Sequence, residues 1–81
     1  MTDAAQHIAT VEKNRAEDVR VALVEYNGHD LVDVRIFASI EGAEERQPTR
    51  KGVSLAIRQL PALLEALQAA REAAERRGLI R

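Results

Sequence analysis

The 81-residue sequence predicts a small α+β domain in which antiparallel strands precede one C-terminal helix. Three observations carry that expectation. Asn27-Gly28 stands between two runs that alternate apolar and polar residues, and a type I′ hairpin turn favours this dipeptide because both central positions need positive φ. Gly52-Val53-Ser54-Leu55-Ala56-Ile57 alternates again. Around and beyond Pro61, Leu60, Leu63, Leu64, Leu67, Ala70 and Ala74 fall on one stripe of a helix.

Residues 1–18 show weak helical spacing through Ala5, Ile8 and Val11 without a firm stop, and read as a mobile or partly helical N-terminal tail. From Val19 the period is two, with Val19, Val21 and Leu23 on one face and Arg20, Ala22, Val24 and Tyr26 on the other. A second strand runs from about His29 to Ile40. With Asn27-Gly28 as the whole loop, the register is fixed. Tyr26 then faces His29, Val24 faces Leu31, Ala22 faces Asp33 and Arg20 faces Arg35. On the opposite side Leu23 meets Val32, Val21 meets Val34 and Val19 meets Ile36, a clean core face. Two arginines opposite each other are unfavourable in isolation; Asp33 or a visiting anion would relieve them.

Glu41–Thr49, with Gly42 and Pro48, reads as a loop with room for a short irregular edge strand. Gly52–Ile57 is the last strand. The helix begins between Ile57 and Leu60, with Pro61 in its first turn, where a missing N–H costs little. Arg76 and Arg77 complement its C-terminal dipole and Gly78 ends it. About 18 residues of helix span roughly 27 Å, long for so small a sheet. Part of the stripe, Leu60, Leu63, Leu64 and Leu67, is therefore expected to pack on a second copy.

Composition points the same way. A chain this short buries only about 60% of its unfolded surface, and with no cysteine it has neither disulfides nor thiolate-bound metal to reinforce it. Oligomerisation remains. No apolar run approaches the roughly 20 residues of a membrane span, and Met1-Thr2-Asp3-Ala4-Ala5 lacks a signal peptide's basic-then-apolar pattern, so an intracellular, cytoplasmic protein is expected.

Net charge is −1, but charge is polarised along the chain. Residues 46–58 hold Arg46, Arg50, Lys51 and Arg58 with no acid, directly after the acidic group Glu41, Glu44 and Glu45. Arginine, which dominates the basic residues, suits bidentate phosphate contacts; an arginine-favouring codon bias would give the same excess. An enzyme fits poorly. His7 and His29 are the only histidines, and neither belongs to a pattern that specifies a catalytic triad. No cluster has metal-ligand spacing, and no glycine-rich phosphate loop occurs. Lys51-Gly52-Val53-Ser54 lacks the upstream glycine of such a loop. No cofactor is expected.

The order Tyr26-Asn27-Gly28, Val32-Asp33-Val34-Arg35 and Pro48-Thr49-Arg50-Lys51-Gly52-Val53-Ser54-Leu55 resembles the C-terminal domain of the transcriptional coactivator positive cofactor 4, bacterial relatives included. The likeness covers about residues 19–70, and Arg50–Leu55 is its most specific piece. It implies a curved four-stranded antiparallel sheet followed by one C-terminal helix, homodimeric through the helices, with β-ribbons that bind single-stranded DNA. Residues 19–81 would form that nucleic-acid-binding domain.

By matching position, the family's roles fall on Tyr26 for base stacking and on Arg35, Arg50 and Lys51 for backbone charge. Arg46, next to the Gln47 that aligns with a family lysine, would take that lysine's place in binding nucleic acid. The register adds Arg20. Departures are a stacking tryptophan replaced by Ala38, turn lysines replaced by Asn27 and His29, and a helix tryptophan replaced by Leu60. Phe37 is expected in the core or at a dimer contact. The reading is a non-catalytic homodimer that binds single-stranded DNA, or RNA, in transcription regulation or DNA maintenance. Transcription machinery is a further partner, and the location is the nucleoid if the protein is bacterial. The alternative is a protein-interaction module on the same fold, favoured by the near-neutral charge and the missing aromatics.

Overall fold

The computed structural model describes residues 4–80. Four strands, β1 (Ala4–Glu12), β2 (Glu17–Tyr26), β3 (His29–Ala38) and β4 (Gln47–Ala56), are followed by a 3₁₀ turn (Ile57–Gln59) and helix α1 (Leu60–Arg76). The strands form one antiparallel sheet in the order β1-β2-β3-β4.

The β2–β3 hairpin has the expected register throughout, from Tyr26 opposite His29 to Val19 opposite Ile36. Asn27 (φ 51°) and Gly28 (φ 78°) both take the positive φ that a type I′ turn demands.

The first correction concerns the N-terminal segment. Residues 4–12 are strand β1, not a tail or a helix; residues 1–3 lie outside the described residues. Ala5 to His7 pair with Val24 to Ala22, and Ala9 to Glu12 with Val21 to Asp18, so Ile8 is an extra residue. This bulge reverses the apolar phase mid-strand and gives Ala5, Ile8 and Val11 their helix-like spacing. The β1–β2 turn closes on Asn14, whose Oδ1 accepts from the backbone N–H of Ala16 and Glu17, both at 2.9 Å.

The second correction concerns β4, which starts at Gln47 and takes in Pro48, five residues before the expected start. Arg35 pairs with Gly52 and Phe37 with Pro48, so Thr49, Arg50 and Lys51 together oppose Ile36. The Thr49 hydroxyl holds this bulge by donating to the Ile36 carbonyl at 2.8 Å and accepting from Lys51 N–H at 3.2 Å. Gly52 is required where the strands meet again. A Cβ there would lie 2.4 Å from the Val34 carbonyl oxygen and 2.8 Å from Arg35 Cα.

One sheet face is apolar, with Ala9, Val11, Val19, Val21, Leu23, Val32, Val34, Ile36, Val53 and Leu55 in register. At its centre Val32 is 2% exposed, whereas Leu23, Val53 and Val11 at its margins are exposed. Helix α1 does not close this face: it adjoins the 3₁₀ turn, and none of its residues is buried. Pro61 occupies its first turn and Gly78 (φ 73°) ends it, with Leu79 N–H donating to the Ala74 carbonyl at 2.8 Å. The radius of gyration is 14.9 Å, against about 12 Å for a compact domain of this length. The least dimension is 18 Å. A stable domain packs two layers around a core, and one chain provides little more than one.

Candidate nucleic-acid interface

The other sheet face carries the polar side chains. In the antiparallel register Asp18, Arg20, Ala22 and Val24 of β2 lie opposite Phe37, Arg35, Asp33 and Leu31 of β3. Between them opens a groove of about 310 Å³, floored by Ala5, Ala22 and Val24 and walled by Phe37 and Pro48, with His7, Arg20, Asp33 and Arg35 as its polar groups. A larger hollow of about 440 Å³ near the hairpin end presents Glu25 and Asp30 and no cation, which disfavours a polyanion.

The two facing arginines each have a carboxylate two residues away on the same strand. Arg35 forks onto Asp33, Nε to Oδ2 at 3.0 Å and Nη2 to Oδ1 at 2.9 Å. Its Nη1 donates to the Thr49 carbonyl at 3.0 Å, so the same side chain anchors the β4 bulge. Arg20 donates from Nε to Asp18 Oδ1 at 2.9 Å, and its Cζ lies over the Phe37 ring, 4.2 Å from the centroid. Hydrogen bonds from Arg35, and from Ser54, hold the Asp33 carboxyl below the ordinary carboxylate range against the opposing effect of burial.

Arg46 is tied into the structure. Its guanidinium reaches Asp18 Oδ2 at 2.9 Å, Glu12 Oε1 at 3.3 Å, the Arg15 carbonyl at 2.7 Å and Ser39 Oγ at 3.3 Å. It clamps the β3–β4 loop onto the β1–β2 turn around Asp18, which is 3% exposed. The bond from Arg20 first, and that from Arg46 after the opposing effect of burial, keep the Asp18 carboxyl below its ordinary range.

Of the six residues expected to bind nucleic acid, the groove brings together Arg20 and Arg35. Arg50 and Lys51 sit on the β4 bulge opposite Ile36, outside the groove lining and exposed, and among the described residues their side chains have no hydrogen-bond or ion-pair partner. Tyr26 is 52% exposed at the hairpin end, away from the groove lining. Arg46 lies at the opposite end of β2, in its clamp. The helix leucines expected at a dimer contact are open, Leu64 at 53% and Leu67 at 59% exposure, with Leu60 and Leu63 half-buried.

Sequence reasoning missed Phe37 and His7 as groove residues. Phe37, expected in the core or at a dimer contact, is half-buried on the groove side. The signal for it was present, because the hairpin register puts Phe37 on the face of Arg20 and Arg35. His7 had none, since its face depends on the β1 bulge. Among the described residues no group of three or more His, Cys, Asp or Glu could hold a metal, and no helix is long and apolar enough to cross a membrane.

The family model described as Transcriptional Coactivator p15 (PC4) matches residues 13–66, from the β1–β2 turn into α1. The chain belongs to the PC4 family. Among solved structures it is similar to a PC4 homologue from Burkholderia pseudomallei at 28% identity. In the tetragonal crystal form of that protein the TM-score is 0.75, over 84% of this chain and 98% of the other. In the orthorhombic form it is 0.76, over 88% and 95%. The bacteriophage T5 homologue of PC4, implicated in recombination-dependent DNA replication, matches at 20% identity with a TM-score of 0.63, over 93% of this chain and 83% of the other. That likeness shows the fold alone. No curated protein matches the chain.

Proposed function

We propose that this PC4-family chain is a non-catalytic, homodimeric single-stranded DNA-binding protein that serves transcription regulation or DNA maintenance. The observation that carries the reading is the Arg50-Lys51 bulge. Two exposed cations stand on a strand bulge tied to the groove residue Arg35, in a chain whose family model is that of a transcriptional coactivator. Backbone phosphates would meet these cations, and the strand would run over the groove toward Tyr26. Arg35 supports the bulge through the Thr49 carbonyl and helps to position the phosphate site.

The missing layer supports the dimer. Leu64 and Leu67 are open, and the apolar sheet face is exposed at its margins; a second copy laid on the helix stripe supplies the cover. A cytoplasmic location, at the nucleoid in a bacterial cell, accords with this role, and single-stranded RNA and the transcription machinery are its further candidate partners. Fluorescence anisotropy with labelled oligo-dT against a duplex of equal length tests the reading. Salt-sensitive preference for the single strand is expected, and its absence at micromolar protein would sink it.

A second reading has its own support. Arg20, Arg35 and Arg46 all spend their charge on carboxylates of the same chain, which lowers the field a polyanion would feel. A protein-interaction module on this fold would copurify with one stoichiometric protein and no nucleic acid.

A further inference from the structure

We infer that Phe37, with the Arg20 guanidinium held over its ring, forms a stacking site for an unpaired base of single-stranded DNA inside the groove. The inference rests on the proposed function and adds to it a base-recognition site separate from the proposed phosphate site on the β4 bulge.

The geometry separates the two tasks. Asp18 pins Arg20 through Nε at 2.9 Å and Nη2 at 3.4 Å, and Asp18 is itself fixed by Arg46 at 2.9 Å. A guanidinium matched in this way to a buried carboxylate is a poor phosphate ligand. It remains a flat, weakly hydrated surface, and its side chain is 31% exposed. Arginine planes and aromatic rings are the two kinds of surface on which bases stack, and here one lies over the other at 4.2 Å.

The surroundings suit a flat heterocycle with polar edges. Ala22, Val24 and Pro48 give the groove an apolar lining, while His7 and Asp33 border it with a ring nitrogen and a carboxylate. Arg35 links the groove to the β4 bulge, because the side chain that binds Asp33 also holds the Thr49 carbonyl beside Arg50 and Lys51. A strand with its phosphates on that bulge can turn a base inward only if the base is unpaired. Selection of single strands then arises from the groove, and the bulge cations contribute affinity without discrimination.

The test uses the full chain and two strands of equal length, oligo-dT and an abasic strand with the same phosphates. The native protein should bind oligo-dT more tightly. Phe37→Leu should weaken oligo-dT binding by roughly 5- to 150-fold, the range of one lost stack, and leave abasic binding unchanged. Phe37→Trp should retain oligo-dT affinity. Because the sequence has no other tryptophan, the emission of the introduced indole should be quenched by oligo-dT and not by the abasic strand. If Phe37→Leu binds both strands as the native protein does, or if the indole is not quenched by bound oligo-dT, the stacking site is overturned and the single-strand reading stands. If the native protein binds neither strand, both fall. Should Phe37→Leu fail to fold, the emission of Phe37→Trp decides alone.

Discussion

Arg20 and Arg35 stand directly opposite each other across the β2–β3 ladder, and each is bonded to an aspartate two residues along its own strand. The same tripeptide, Asp-Val-Arg, occurs at 18–20 and at 33–35, and the antiparallel register runs the two copies head to head. Like charges on facing residues are destabilising. Here each positive charge has a bonded negative neighbour two residues along its own strand.

Arg35→Gln should therefore destabilise the free domain. The substitution leaves Asp33 half-buried, with Ser54 as its remaining partner, and releases the Thr49 carbonyl. A loss of about 1–2 kcal/mol is expected for a charged group left short of partners, read as a lower urea midpoint. An unchanged midpoint would mean that the fork contributes nothing.

Stability should fall in acid. Asp33, through its bond from Arg35, and Asp18, through its bond from Arg20, have carboxyls lowered from the ordinary value of 3.8. Glu17 is lowered from 4.5, through Lys13 first and then Asn14. A carboxyl depressed in the folded state contributes stability that is full above the unfolded value and is lost as pH drops through the folded one. Melting temperature should hold near neutrality and decline below about pH 4. The Asp18→Asn, Asp33→Asn double variant should melt lower near neutrality and lose less on acidification; an equal decline would assign the effect to other groups.

Replacing Arg50 and Lys51 with Ala should weaken single-strand binding alike for every base sequence. Two lost phosphate contacts reduce the slope of log affinity against log salt by about 1.4. Stability should stay within about 0.5 kcal/mol of the parent, since neither side chain is packed. Retention of the full slope would place the phosphates elsewhere.

Sedimentation equilibrium at micromolar concentrations should report about twice the 9.0 kDa chain mass. Leu67→Asp puts a charge on the exposed stripe of α1 and should shift that mass toward the monomer or unfold the chain. A native protein that sediments as a monomer would leave the exposed apolar surface without its proposed cover.

Gly52→Ala should cost about 1–3 kcal/mol, the range for forcing atoms into occupied space. The atoms its Cβ would meet belong to the β3 backbone, so no side-chain rotation relieves the contact. Thermal melting measures the loss, and a neutral result would show that the strands separate there at little cost.

The hairpin, the helix with its Pro61 start and Gly78 stop, and the Arg20–Arg35 juxtaposition were legible because local chemistry decides them. Asn27-Gly28 sets a register that then propagates by geometry. Strand β1 was not legible, because an extra residue at Ile8 breaks the alternation on which strand recognition depends. The early start of β4 was hidden in the same way by Pro48 and the Thr49–Lys51 bulge, since β3 dictates that pairing. Arg46 gave no local sign of its clamp, with acidic partners 28 and 34 residues away in the chain. An acid-free stretch with several basic residues reads as binding surface until the fold shows which of them are already bonded.

Both outer strands of the sheet are irregular, β1 by the extra residue at Ile8 and β4 by Pro48 and the bulge at Thr49–Lys51. A flat, regular edge is a template on which further chains can add strand by strand, and natural sheets blunt it with bulges, prolines and charges. Here each margin is distorted, and β4 also lacks one backbone donor at Pro48 and carries two cations. Fibre growth along the hydrogen-bonding direction is thereby opposed at both ends of the sheet. A chain with so much uncovered apolar surface can then self-associate through its faces into a closed assembly without polymerising through its edges.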